Sequence, residues 1–286
     1  MNKTLLTPTE LANLIESEPV VIIDTRDPET YAADHIPGAV NIREIFTYLA
    51  TTDAEGLDAI AHKFAELFGA AGISGGETVV FYEDAMNTGF GQSCRGYFLL
   101  TSLGYDKAAV LHGGLKAWVK AGLPTTRDVT SNTPAIFPLS APPTSLIVTQ
   151  DDMLKAIDDP TIKILDVRDE DEWIGLSSSP YGVDFCPRKG RIPGAVWLEW
   201  YELMDETEEN YAMLRPTPEV LAACAELGIT PDSTVYVYCF KGARASNTFV
   251  ALREAGIKNV KIYFGSWNEW SRNFDLPIDE NEMAAA

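Results

Sequence analysis

Short apolar runs alternate with amphipathic stretches along the whole chain. The runs VVII at 20–23, VVFY at 79–82 and AVL at 109–111 are rich in β-branched or aromatic residues. So are IKIL at 162–165, VYVY at 235–238 and VKIY at 260–263. Runs this short and continuous predict buried strands. Between them lie helix patterns. Thr7-Pro8-Thr9-Glu10 reads as an N-cap with proline at the first helical position and a capping-box glutamate. Further helices are predicted over 56–67, around 97–100, from Gly114 through Trp118, after Thr149, over 216–227 and over 245–254. Strands alternating with helices predict an α/β fold, a mainly parallel sheet flanked by helices.

The pattern occurs twice. Asp24-Thr25-Arg26-Asp27 returns as Asp166-Val167-Arg168-Asp169, and HIPGAV at 35–40 returns as RIPGAV at 191–196. The offset is 142 residues at the first motif, 156 at the second and 152 at Trp118 and Trp270. Two copies of one fold are therefore expected, the second carrying an insertion of 14 residues within 174–190. That insertion should lie at a domain interface or at the rim of the functional site. The Pro-, Thr- and Ser-rich stretch around PAIFPLSAPPT reads as a stiff linker. The expected division is a first domain over 1–126, a linker over 127–146 and a second domain over 147–286.

Chemistry concentrates at one strand end. After VYVY the chain reads Cys239-Phe240-Lys241-Gly242-Ala243-Arg244 and then enters a helix. A thiol between a strand and a helix N-terminus meets backbone N–H groups and the positive end of the helix dipole, which favour a thiolate. Gly242 permits a tight anion-cradling turn. In the first copy Glu83 stands at the position matching Cys239, in the acidic loop EDAMNTGFGQ. That copy is expected to be inactive. Cys94, Cys186 and Cys224 read as core or loop thiols, and Asp166 with Arg168 as a structural pair. Trp197 and Trp200 fit either a cleft wall or packing.

Composition narrows the partners. A formal charge of -20 and a pI near 4.4 argue against nucleic acid and anionic membranes. No apolar run is long enough to span a bilayer, and the N-terminus lacks a signal peptide's apolar core. Four cysteines without paired zinc-ligand spacing suit a cytoplasmic protein with reduced thiols. No cofactor or metal is expected.

The DxRD motif, the doubled IPGA loop, the CxxGxR loop and the later Gly-Ser-Trp resemble the rhodanese family of sulfurtransferases in its tandem-domain form. The resemblance covers nearly the whole chain. It implies a sulfane-sulfur donor, a persulfide on Cys239 and transfer to a thiophilic acceptor such as cyanide, a thiol or thioredoxin. Lys241 and Arg244 are the expected substrate-binding cations, with Arg191 and Arg188 as further ones. Phe240, Gly242 and Ala243 complete the loop. The loop reads CFKG. The thiosulfate-using members resemble CRKG and the 3-mercaptopyruvate-using members CGSG. Lys241 favours thiosulfate, and Phe240 blurs the choice. A cysteine-dependent phosphatase would place five residues between cysteine and arginine, whereas four stand here. A sulfur-carrier or scaffold role is the non-enzymatic alternative. The internal pseudo-dimer makes a monomer the expected state.

Overall fold

The computed structural model describes residues 3–139, 146–208 and 211–280. The chain forms two compact units. In the first, strands β1 (Leu5–Leu6), β2 (Val20–Asp24), β3 (Ala39–Asn41), β4 (Thr78–Tyr82) and β5 (Ala108–Leu111) form an all-parallel sheet in the order β1-β5-β4-β2-β3. In the second half, β6 (Ile147–Val148), β7 (Ile162–Asp166) and β8 (Val196–Trp197) precede an antiparallel hairpin of β9 (Met204–Glu206) and β10 (Ala212–Leu214). Strands β11 (Thr234–Tyr238) and β12 (Asn259–Tyr263) complete a second parallel sheet, ordered β6-β12-β11-β7-β8. The two orders are the same once the hairpin is set aside, as the repeat predicts.

The helices form where the sequence places their signals. Thr7 and Thr149 each accept a backbone N–H from the third residue of the helix they cap, and each cap is closed reciprocally by Glu10 or Asp152. The helix Ala54–Ala70 extends the predicted 56–67 at both ends.

The repeated motifs are explained by one buried network, built twice. In β7, Asp166 holds Arg168 through a bidentate contact at 2.9 and 2.6 Å, and accepts a hydrogen bond from the Tyr238 hydroxyl at 2.6 Å. That hydroxyl accepts the Ile192 N–H at 3.1 Å, which ties the IPGA loop to the end of the central strand. The first unit repeats this with Asp24, Arg26, Tyr82 and Ile36. The paired tryptophans also share one task. Trp118 donates its indole N–H to Pro124 O at 2.8 Å and Trp270 donates to Pro277 O at 2.9 Å, each fastening the chain just beyond the last helix of its repeat.

The domain division differs from the sequence reading in three places, the expected linker joining the first unit and two short segments changing sides. The units meet at 144/145, but residues 49–56 belong to the second unit and residues 204–214 to the first. In the first exchange, Thr52 gives its N–H and hydroxyl to Glu269 at 2.6 and 2.7 Å and accepts the Gln150 N–H at 2.9 Å. In the second, the N–H of Ala212 donates to Asn87 and that of Leu214 to His112. The described part of the linker, 127–139, is not a free spacer. Phe137 is buried against Phe68 and Tyr105, both at 5.8 Å. Residues 140–145 of the expected linker lie outside the described residues.

Candidate functional site

The register fixes which residues correspond. Asp24 faces Tyr82 across β2 and β4, and Asp166 faces Tyr238 across β7 and β11. The next residues, Glu83 and Cys239, therefore occupy the same place at the C-terminal end of the central strand. In open α/β sheets that end is where ligands bind.

Behind Cys239 the helix Ala243–Glu254 begins two residues earlier than the sequence pattern predicts, so Ala243 and Arg244 lie in its first turn. Gly242 caps it with φ +91°, and its N–H donates to the Cys239 Sγ at 3.1 Å. A β-carbon at Gly242 would lie 2.9 Å from the Phe264 ring, so the left-handed turn and the packing both demand glycine here. The loop is pinned from the rear as well. Cys239 O accepts the Trp267 N–H at 2.9 Å and Phe240 O accepts the Asn268 N–H at 3.0 Å. The result is a rigid cradle with a backbone donor aimed at sulfur, at the head of a helix of 12 residues.

The surrounding cations are placed differently from the sequence expectation. Lys241 is nearly buried, with its Nζ 5.3 Å from the centre of the Tyr181 ring. Arg244 is buried and bound to Glu172 at 2.6 and 3.1 Å and to Asp169 at 2.8 Å. Burial opposes its charge, but Glu172, the Cys239 sulfur and Asp169 outweigh burial and hold its pKa well above the ordinary guanidinium value. It is a fixed positive charge beside the thiol, already matched by carboxylates, and not bait for a free anion. Arg188 is spent on the carbonyls of Trp270, Ser271, Asn273 and Leu276. Arg191 pairs with Asp279 at 3.1 Å, donates to Trp173 O and stacks over the Trp173 ring at 4.2 Å. Both were expected at the substrate. The structure instead gives them the work of holding the C-terminal segment and the IPGA loop.

Phe240 also has a different role. Its side chain is buried, 5.0 Å from the Tyr181 ring and 6.5 Å from that of Phe185. Tyr181 and Phe185 belong to the insertion, which therefore lies against the cysteine loop. Phe240 anchors that insertion. Trp197 stacks on Trp173 and donates to Arg168 O, and Trp200 is fully buried, so packing accounts for both.

Sequence reasoning missed Glu172. The available signal was its place three residues after Asp169, where it closes a capping box on the helix Glu170–Trp173. Nothing local announced that it also neutralises an arginine 72 positions away.

In the first unit Glu83 is fully buried, accepting from Ser93 Oγ at 2.6 Å and from the Gln92 N–H at 3.3 Å. Burial pushes its pKa up to about 8. The first loop is thus closed by its own side chain. The loop has no cysteine at its head, and the Glu83 side chain fills the place. This has a measurable consequence. Below about 4.5, Glu83 is protonated in folded and unfolded chains alike. Between there and about 8 only the unfolded chain ionises it, so stability falls as pH rises and levels off above the folded value. The isosteric Glu83→Gln should abolish this loss. Its melting temperature should gain on the wild type between pH 5 and pH 9, reflecting on the order of 4 kcal/mol.

The other thiols are sequestered. Cys94, Cys186 and Cys224 are buried and unpaired. Burial raises all three, Cys224 to about 11. Among the described residues no group of His, Cys, Asp and Glu is placed to hold a metal ion, and no helix is long and apolar enough to cross a membrane.

The chain is 29% identical over 277 residues to a thiosulfate sulfurtransferase of Azotobacter vinelandii, covering 96% of each chain. It is 28% identical over the same length to a thiosulfate sulfurtransferase of Pseudomonas aeruginosa, again covering 96% of each. Among solved structures, wild-type EanB superimposes with a TM-score of 0.81 at 23% identity, covering 96% of this chain and 68% of EanB. EanB has also been solved with hercynine and with ergothioneine, and that likeness concerns the fold alone. The rhodanese-like domain family matches residues 7–121 and again 149–273. The chain belongs to the rhodanese family, as two rhodanese-like domains in tandem.

Proposed function

We propose that this chain is a thiosulfate sulfurtransferase working through a persulfide on Cys239. The Cys239 thiolate attacks the outer sulfur of thiosulfate, an S–S bond forms to the enzyme, and the S–S bond of the donor breaks with its electron pair leaving on sulfite. A nucleophilic acceptor such as cyanide, a thiol or thioredoxin then bonds to the outer sulfur and the thiolate is restored. This is double displacement without a separate base. The observation that carries the reading is the Gly242 N–H held 3.1 Å from Sγ in a glycine turn at a helix N-terminus. Donors fixed in advance stabilise charge on sulfur without reorganising. The names of the two bacterial relatives point the same way.

In this reading Lys241 receives the anionic donor and Arg244 supports the thiolate from beneath. The first domain, filled by Glu83, takes no catalytic part. A second reading is 3-mercaptopyruvate as donor, with pyruvate released. It is favoured by Phe240, which puts a buried aromatic where a second loop cation would stand. A comparison of donors separates the two. With cyanide as acceptor, thiocyanate should form faster from thiosulfate than from 3-mercaptopyruvate, and the reverse order would replace the first reading with the second. Lys241→Ala should raise the KM for thiosulfate by roughly tenfold, about 1.4 kcal/mol, with a smaller effect on thermal stability. Equal losses in both would assign Lys241 to packing against Tyr181.

A further inference from the structure

Ser266 stands out in the backbone. It is one of two non-glycine residues among the described residues with positive φ, at +54°. That conformation is disfavoured for a residue with a β-carbon, and a buried outlier of this kind persists where the surrounding structure enforces it. Ser266 is fully buried, directly behind the cysteine loop. Its hydroxyl accepts the Cys239 N–H at 3.3 Å and donates to Tyr263 O at 2.8 Å.

The first unit supplies an internal comparison. There Leu115 and Lys116 donate their N–H groups to Glu83 O and Asp84 O, as Trp267 and Asn268 do to Cys239 O and Phe240 O. The residue matching Ser266 is therefore Gly114, also left-handed at φ +64°. A β-carbon on Gly114 would lie 2.5 Å from Glu83 O. Glycine thus meets the backbone requirement in the copy with Glu83 at this place, whereas the copy with Cys239 carries serine in the same unfavourable conformation. The difference delivered by the serine is a hydroxyl on the N–H of the nucleophile.

We propose that Ser266 is a positioning residue for Cys239: its hydroxyl fixes the Cys239 peptide so that Sγ stays under the Gly242 N–H. The proposal rests on Cys239 being the nucleophile and not on the identity of the donor. It is tested with two variants, Ser266→Ala and Ser266→Gly, by the rate of Cys239 alkylation with iodoacetamide, followed by intact mass and peptide mapping, alongside melting temperature. Alanine loses the hydroxyl and keeps the strain. Glycine loses both, so it should melt higher than alanine. Both should alkylate Cys239 roughly five- to tenfold more slowly than wild type, the effect of one lost hydrogen bond. A purely structural role would make reactivity follow stability, with glycine recovering the wild-type rate. That recovery, wild-type rates in both variants, or a wild-type Cys239 inert to the reagent would overturn the proposal. If Ser266 controls alkylation but thiosulfate loads no sulfur on the wild type, the proposed donor fails and the positioning role stands.

Discussion

Cys239→Ser protein mixed with thiosulfate is expected to gain no mass, while the wild type gains one sulfur atom, roughly 32 Da, on the residue that a persulfide intermediate requires. Turnover to thiocyanate should fall by at least about a thousandfold, since the variant lacks the group that takes part in both half-reactions. The prediction is sharp because no other thiol is suited to take over. Cys94, Cys186 and Cys224 are each buried and their pKa values raised by that burial, which keeps them protonated near neutrality and therefore poor nucleophiles. Serine preserves the shape of the site, so the folded state should survive and the loss should be chemical. Sulfur found on any other cysteine of the variant would sink the assignment of the nucleophile.

Asp166→Ala is expected to cost about 3–5 kcal/mol of stability, the usual result of stranding a buried charge. Arg168 has a side chain with no exposure and depends on Asp166 for its bidentate partner. Its other hydrogen bond goes to Gly190 O. The same substitution also strips the Tyr238 hydroxyl of its acceptor, one residue before Cys239. Against a typical stability of about 5–15 kcal/mol, that loss is enough to bring the second unit close to unfolding. The matching change in the first unit, Asp24→Ala, should cost less. Arg26 keeps a small exposure and has Asp84 within 4.0 Å as a second carboxylate. Urea denaturation of the two variants measures the order. Equal losses would mean that the residual exposure and Asp84 give Arg26 no relief.

The fold was legible because its signals are local or periodic. Apolar runs marked six of the twelve strands among the described residues; the other six have two or three residues, too few to leave a period. The repeat was visible because IPGA and DxRD serve one network, and a network that needs Asp, Arg, Tyr and a loop N–H together constrains each member. At the site, the strand–cysteine–glycine–helix order read directly into the cradle. The arginines did not. Arg188, Arg191 and Arg244 look alike in sequence whether they await an anion or already hold a partner, and the partner is decided by contacts such as Arg244 with Glu172 or Arg188 with the carbonyls after Trp270. Phe240 was ambiguous for the same reason. Its apolar side chain reads as a weakened substrate contact until the insertion is seen to rest on it. The strain at Ser266 has no sequence signal short of its alignment with Gly114.

The exchange of short segments changes what duplication has left behind. Residues 49–56 come from the half with Glu83 at the cysteine position, yet Thr52 grips Glu269, three positions beyond Ser266 on the helix that backs Cys239. Residues 204–214 come from the half with Cys239, yet they finish the first unit. A chain divided at 144/145 would release two incomplete pieces, one missing its hairpin and the other the strap behind its reactive loop. The first copy, with Glu83 at the cysteine position, still supplies part of the second unit. The two halves are therefore expected to fold together, and a change at Thr52 is a change to the cysteine's foundation.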